Sequence, residues 1–241
     1  MADPLSYIVF TDFDGTITRT DIGDALFKVF GRAEEAALAF RESTQGKIGA
    51  QESWRRSCAT VALPSPDLFA SFVEGQAIDE GFVSFERFCA EKSIPIHILS
   101  DGFDIYIDQV LRRENLSHLP FYSNKLVMNP AGSVEPQFPY TDAECIMCAN
   151  CKRNHLLTRA SDENVIIYIG NGHSDQCPAK YADIVFAKDT LLRYCERENI
   201  TYHRFVTFHD VLAAMRTIVE TGKPRKRRTA ELARRQIFLQ G

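Results

Sequence analysis

The stretch that most constrains this chain is Tyr7 to Thr18, YIVFTDFDGTIT. Four strand formers, Tyr7, Ile8, Val9 and Phe10, lead into two carboxylates one residue apart, Asp12 and Asp14, and then into the turn residue Gly15. An uninterrupted apolar run reads as a buried parallel strand, and in open α/β sheets ligands bind beyond the carboxyl ends of the strands. Two acids there point to a nucleophile or a metal site. Asp and Gly are also what ordinary turns use, so a plain polar turn suits the same residues, and the rest of the chain must separate the two.

The alternation that follows supports a sheet. After Thr18 the pattern turns helical: Thr20 or Asp21 can cap a helix in which Ile22, Leu26, Val29 and Phe30 recur, and further helices are expected over 34–42, 50–62 and 66–75. No strand is expected between Thr18 and Ile78, so this region reads as a small helical insertion placed after the acid-bearing strand, where it could cover a site. From Asp79 the α/β pattern returns with a helix over 81–92 and a strand over 95–99 ending at Ser100-Asp101-Gly102. A helix over 103–113 and strand-like pieces around a hairpin turn at Asn129-Pro130-Ala131-Gly132 come next. A helix over 145–158, a strand over 165–169 ending in GNGHSD, a short strand over 184–186 and helices over 190–198 and 209–220 complete the body. The expected fold class is α/β, a doubly wound and mainly parallel sheet with an inserted helical cap. Its core is assigned to 1–20 and 80–220, its cap to 21–79 and a basic tail to 221–241.

With 241 residues, 45% hydrophobic, the chain can bury a sizeable core as one domain or a domain plus an insertion. No apolar run approaches a bilayer span, and MADPLSYIVF lacks the basic start and cleavage site of a secretory signal, so a cytoplasmic protein without membrane partners is expected. Seven unevenly spaced cysteines form no disulfide framework, in keeping with a reducing compartment. Of the net charge of −4, the segment Lys223 to Arg235 contributes +6, seven cations against Glu231, which leaves −10 elsewhere. An acidic body argues against a broad nucleic-acid surface. The run KPRKRR reads as a solvated tail, or as a contact for nucleic acid, an anionic membrane or the protein's own acidic face. Oligomeric state is not readable from these features.

The order DFDGT, a strand ending in Ser100, then Lys152, then a strand ending in GNGHSD resembles the haloacid dehalogenase superfamily of aspartate-nucleophile phosphatases, over nearly the whole chain. The helical insertion is similar to that of the phosphoserine-phosphatase-like branch. AIDEGF, HILSDGFD, CIMCANCK and AKYADIVFAKDTLLRYCEREN resemble the methionine-salvage phosphatases that act on a hydroxyketo-methylthiopentenyl phosphate, and the phosphoethanolamine/phosphocholine phosphatases more distantly. The resemblance implies a Rossmann-like core and Mg²⁺-dependent hydrolysis of a small phosphomonoester through an aspartyl-phosphate. Phosphoserine or phosphocholine-like esters are the alternative substrates, and a non-catalytic binding or regulatory protein is the alternative class. Asp12 would attack phosphorus, and Asp14 would protonate the leaving oxygen and then activate water. Thr16, Ser100, Asp101, Gly102 and Lys152 would hold the phosphate, and Asp12, the Asp14 carbonyl, Asn171 and Asp175 the ion. Taken singly, Ser100 also suits a helix cap and Lys152 a surface lysine; His173 and Asp101, inside motifs, are candidate substrate contacts, with a turn and a cap as equally good accounts.

One position departs from the family pattern. Asn171 stands where these phosphatases place a metal-ligating aspartate. Three carboxylates, Asp12, Asp14 and Asp175, then balance Lys152 and a divalent ion, one negative charge fewer than with an aspartate at 171, and a neutral ligand should bind the ion less tightly. Cys145, Cys148 and Cys151 are three residues apart before Lys152. Buried thiols are the first account of them; with Cys177 as a fourth ligand they could instead hold a structural Zn²⁺, and an iron–sulfur cluster is less well matched. In the cap, Lys47, Trp54, Arg55 and Arg56 are candidate substrate contacts, with core packing for the tryptophan and a solvated helix face for the arginines as the other account.

Overall fold

The computed structural model describes residues 5–62, 65–129, 132–143, 145, 147–221 and 225–240. The chain begins with β1 (Ser6–Thr11) and four helices, α1 (Ile22–Phe30), α2 (Ala33–Thr44), α3 (Ala50–Cys58) and α4 (Pro66–Glu74). It continues through α5 (Phe82–Glu91), β2 (Ile96–Phe103), α6 (Asp104–Arg113), β3 (Phe121–Met128), β4 (Val134–Gln137) and α7 (Lys152–Arg159). The last elements are β5 (Asn164–Gly170), α8 (Gln176–Tyr181), β6 (Ile184–Ala187), α9 (Asp189–Arg197), β7 (His203–Arg204), α10 (Phe208–Thr221) and α11 (Arg228–Gln240). The strands form one sheet in the order β4-β3-β2-β1-β5-β6-β7, with β1 parallel to β2 and β5, β6 parallel to β5 and β7, and β3 antiparallel to β4. This is the expected α/β class with its mainly parallel sheet.

The chain divides into two compact units. The first comprises the segment ending at Asp12, Ile78–Leu99, and everything from Lys152 onward. Its centre is β1, paired in parallel with β2 on one side (Val9 with Ile96) and β5 on the other (Thr11 with Ile169). Val9, Phe10, Ile98, Ile167 and Ile169 are fully buried, as strands covered on both faces require. Because β1 and β5 run in register, Asp12 and the loop after Gly170 leave the sheet at the same edge, and the Asp12 N–H donates to the Ile169 carbonyl at 2.9 Å.

The second unit comprises Phe13–Ala77 and Ser100–Cys151. No strand occurs among the described residues from 19 to 77, as the sequence pattern implied. Asp21 caps α1 through the Asp24 N–H at 2.8 Å, and Ser65 caps α4 with Pro66 in its first turn. Arg113 of α6 donates to the carbonyls of Val73, Glu74 and Gln76, satisfying the open end of α4. Asn129 and Gly132 flank the expected hairpin turn, with Gly132 at φ +83°, while Pro130 and Ala131 lie outside the described residues.

Two expectations change. The helix expected from Cys145 starts only at Lys152, because the preceding residues are held by other partners: the Cys151 N–H donates to the Tyr140 carbonyl at 2.7 Å, and the Asn150 amide donates to the carbonyls of Ser100 and Tyr122. The expected tail contains α11, whose sequence is helix-forming and whose Ala230 is fully buried. Arg227 donates to the carbonyls of Ala179 and Lys180 at the end of α8, and Arg234 to the Tyr181 carbonyl and, at 3.0 Å, to Asp183. These cations meet the negative end of a short helix and a buried acid. Lys223, counted in the basic run, lies outside the described residues.

The Asp183 carboxylate also accepts the N–H groups of Ile166 and Arg227. Asp183→Ala is therefore expected to cost about 3 kcal/mol in urea unfolding, the scale of a broken buried ion pair.

Candidate active site

In the first unit, Lys152 is the first residue of α7, and its ammonium is 1% exposed. It donates to Asp12 Oδ1 at 2.6 Å and to Asp175 Oδ1 at 2.7 Å, whose side chains are 7% and 0% exposed. Burial alone would push this ammonium down, but the two carboxylates more than offset it and hold Lys152 above the ordinary lysine value. It is therefore a fixed cation and not the surface lysine its sequence context also permitted.

Asp175 accepts a second bond at Oδ1 from the Tyr168 hydroxyl at 2.5 Å, and its Oδ2 accepts the N–H groups of Asn171 and Gly172 at 3.0 and 2.8 Å. With four donors on two oxygens, this carboxylate organises the loop after β5 and anchors Lys152. Asn171 lies in that loop, with its carbonyl accepting the Leu191 N–H. His173 is exposed in the turn before α8. Two carboxylates face one ammonium in this buried cluster, and with Asp175 engaged by four donors it is the Asp12 carboxylate, a hard oxygen donor beside that excess of negative charge, that suits a divalent cation.

In the second unit, Asp14 follows the strand within a turn that passes through Gly15 at φ +68°, a conformation that favours glycine. Thr18 closes the turn, with its Oγ1 accepting the Gly15 N–H and donating to the carbonyls of Phe13 and Thr20. Thr16 is fully buried in the same turn. Asp14 Oδ1 accepts the N–H of Ile22, the first residue of α1, at 3.0 Å. Its Oδ2 accepts the Ser100 hydroxyl at 3.1 Å and the Tyr106 hydroxyl at 2.9 Å. Ser100 and Asp101 sit inside β2 and not at a helix cap. Asp101 accepts the Asn150 N–H at 3.0 Å and the Trp54 indole N–H at 3.3 Å.

The cap residues separate. Trp54 packs against Phe103 and Phe27 and reaches Asp101, so it is both packing and polar contact. Arg55 lies over the Phe138 ring, Arg56 pairs with Glu52 and Glu42 on an exposed face, and Lys47 is exposed. The Cys145 and Cys148 sulfurs are 4.0 Å apart and Cys151 is buried, while Cys177 belongs to the first unit. Among the described residues no group of three or more His, Cys, Asp or Glu is arranged to hold a metal ion, so the zinc reading of these four cysteines finds no support.

Sequence reasoning missed Tyr106, Tyr168, Asn150 and the Ile22 N–H. Tyr168 carried a usable signal: a tyrosine inside the aliphatic run VIIYIG must find a partner for its buried hydroxyl, and the nearest motif held an aspartate. Tyr106 reads as one more apolar position of an amphipathic helix, and a main-chain donor leaves no mark in sequence.

A family model, haloacid dehalogenase-like hydrolase, matches residues 9–180. Among curated proteins, the chain is similar to the 2-hydroxy-3-keto-5-methylthiopentenyl-1-phosphate phosphatase of Lysinibacillus sphaericus, 32% identical across 89% of this chain and 96% of that protein. It is also similar to the polyol phosphate phosphatase PYP1 of Saccharomyces cerevisiae, 27% identical across 88% and 93%. Among solved structures, a phospho-aspartyl intermediate analogue of phosphoserine phosphatase superposes with a TM-score of 0.67 at 19% identity, covering 91% of this chain and all of the other, which shows a common fold.

The helix that presents Lys152 also carries His155, whose imidazole is pushed down to about 4 by burial and by Arg159, His97 and Lys152. Between that value and the ordinary 6.5 the unfolded chain binds the proton and the folded one does not, so stability falls as pH drops through this window. Urea midpoints measured from neutral pH to pH ~4.5 should fall more for the wild type than for His155→Leu.

Proposed function

The chain belongs to the haloacid dehalogenase-like hydrolases and is a phosphatase of that family, and from this premise we propose how its own residues carry the reaction. Asp12 is the nucleophile. Lys152 binds its Oδ1, so attack on phosphorus is assigned to Oδ2, forming a P–O bond to the aspartate as the ester P–O bond breaks. Asp14 gives its proton to the departing oxygen, then takes one from the water that cleaves the aspartyl-phosphate and releases inorganic phosphate. Thr16, Ser100, Gly102 and Lys152 hold the phosphoryl oxygens. The observation that supports this reading best is the Lys152 ammonium locked between Asp12 and Asp175, a preorganised cation of the kind phosphoryl transfer requires.

Bound Mg²⁺ would neutralise charge on the transferring oxygens. The Asp12 carboxylate, the Asp14 carbonyl and the Asn171 carboxamide are proposed as its protein ligands, with Asp175 as the support of the loop, since its oxygens already accept four hydrogen bonds. The substrate is proposed to be a small phosphomonoester similar to that of the methionine-salvage relatives, with a polyol phosphate next, as the names of the two relatives suggest. Phosphoserine and phosphocholine-like esters follow. The regulatory reading drew on a basic tail available to partners, and Arg227 and Arg234 of that tail are instead engaged with the chain's own carbonyls and Asp183. The uneven spacing of the seven cysteines in the sequence supports a reducing, cytoplasmic setting.

A phosphate-release screen over metabolite monoesters tests the substrate class, with turnover expected on the 1-phosphates of small hydroxylated compounds. In Asp12→Asn that turnover should fall by about three orders of magnitude or more, and retained activity would overturn the nucleophile assignment. Asn171→Asp should lower the Mg²⁺ concentration needed for half-maximal activity, and the Mg²⁺-dependent rise in thermal midpoint should appear at lower Mg²⁺ as well.

A further inference from the structure

Tyr106 is the largest fully buried side chain that touches the Asp14 carboxylate. Its ring is fixed in the second unit between Phe13 and Phe103, each with its centroid 6.4 Å away. Its hydroxyl donates to Asp14 Oδ2 at 2.9 Å. Glycine at 102 makes room for the contact, because a Cβ there would fall 1.8 Å from the Tyr106 hydroxyl and 2.4 Å from Asp14 Oδ2.

Three donors among the described residues reach the Asp14 carboxylate, and they differ in what else they must do. The Ile22 N–H is main chain and holds Oδ1. Ser100 shares Oδ2 but also accepts the Gly102 N–H at 2.9 Å and is assigned to the phosphoryl oxygens, so its bond to Asp14 competes with substrate. Tyr106 is assigned no such second duty. We propose that Tyr106 is a positioning residue for Asp14, its hydroxyl keeping the carboxyl oriented to deliver a proton to the leaving oxygen. This rests on Asp14 being the general acid. In that step the ester P–O bond breaks, its electron pair goes to the leaving oxygen, the Asp14 proton follows, and the resulting carboxylate is received by the Tyr106 hydroxyl. Positioning of this kind matters most for alkoxide leaving groups, which need the proton, and least for nitrophenolate, which departs without it.

Tyr106→Phe in the full chain, with its thermal midpoint recorded to confirm folding, tests the proposal. The parameter is kcat/KM, which reports transfer from substrate to Asp12, measured on glycerol 3-phosphate and on p-nitrophenyl phosphate. The expected result is a loss of about tenfold on the alkyl ester and less than about threefold on the aryl ester. Equal losses on both esters, as a merely structural tyrosine would produce, or no loss on either, would overturn it. A wild type that turns over both esters, with Asp12→Asn inactive, secures the underlying phosphatase reading independently; a wild type inactive on both would remove the two together.

Discussion

An ammonium buried to 1% exposure between two carboxylates is the interaction on which the first unit depends. Removing three charges from water is costly, and such a cluster persists only if every lone pair and proton finds a partner. Here the partners come from separate parts of the chain. Asp12 is delivered by β1, Lys152 by the first turn of α7, and Asp175 by the loop after β5, where Tyr168 and two main-chain N–H groups complete its shell. The parallel register of β1 with β5 makes this possible, because it brings both strands to one edge of the sheet.

The second unit treats Asp14 in a comparable way with neutral donors. The turn through Gly15 leads to α1, whose first N–H meets the carboxylate, and β2 and α6 contribute Ser100 and Tyr106. Asn150 ties the segment before Lys152 to β2 and β3 through the carbonyls of Ser100 and Tyr122. That tie explains why three cysteines at helical spacing do not form a helix: side-chain and main-chain bonds to neighbouring strands outcompete the local 3.6-residue repeat.

Much of the architecture was legible because it rests on periodicity. The aliphatic runs at Tyr7, Pro95 and Val165, short and bounded by polar and glycine residues, read as buried strands, and the apolar spacing after Asp21 reads as a helix. Asp12, Lys152 and Asp175 were legible as a set through the resemblance of their motifs, in this order, to the haloacid dehalogenase superfamily, although each residue alone was not. Residues whose role lies in an unseen contact were illegible. Arg56 and Trp54 looked equally suited to a ligand, yet one guanidinium is held by surface carboxylates while the indole N–H bonds Asp101. The basic C-terminal segment looked like a tail because its partners, the carbonyls ending α8 and Asp183, are more than forty residues away.

By itself the sequence determined the parallel α/β class, the helical insertion after the first strand and the aspartates that end that strand, because these follow from local spacing and residue type. The tertiary structure alone decided that Lys152 is shared between Asp12 and Asp175, that Tyr106 and Tyr168 serve carboxylates, and that the last helix packs on the chain's own acid. Each of these is a hydrogen bond formed only when burial has removed water as the competing partner, and all but the Tyr168–Asp175 bond join groups far apart in the chain.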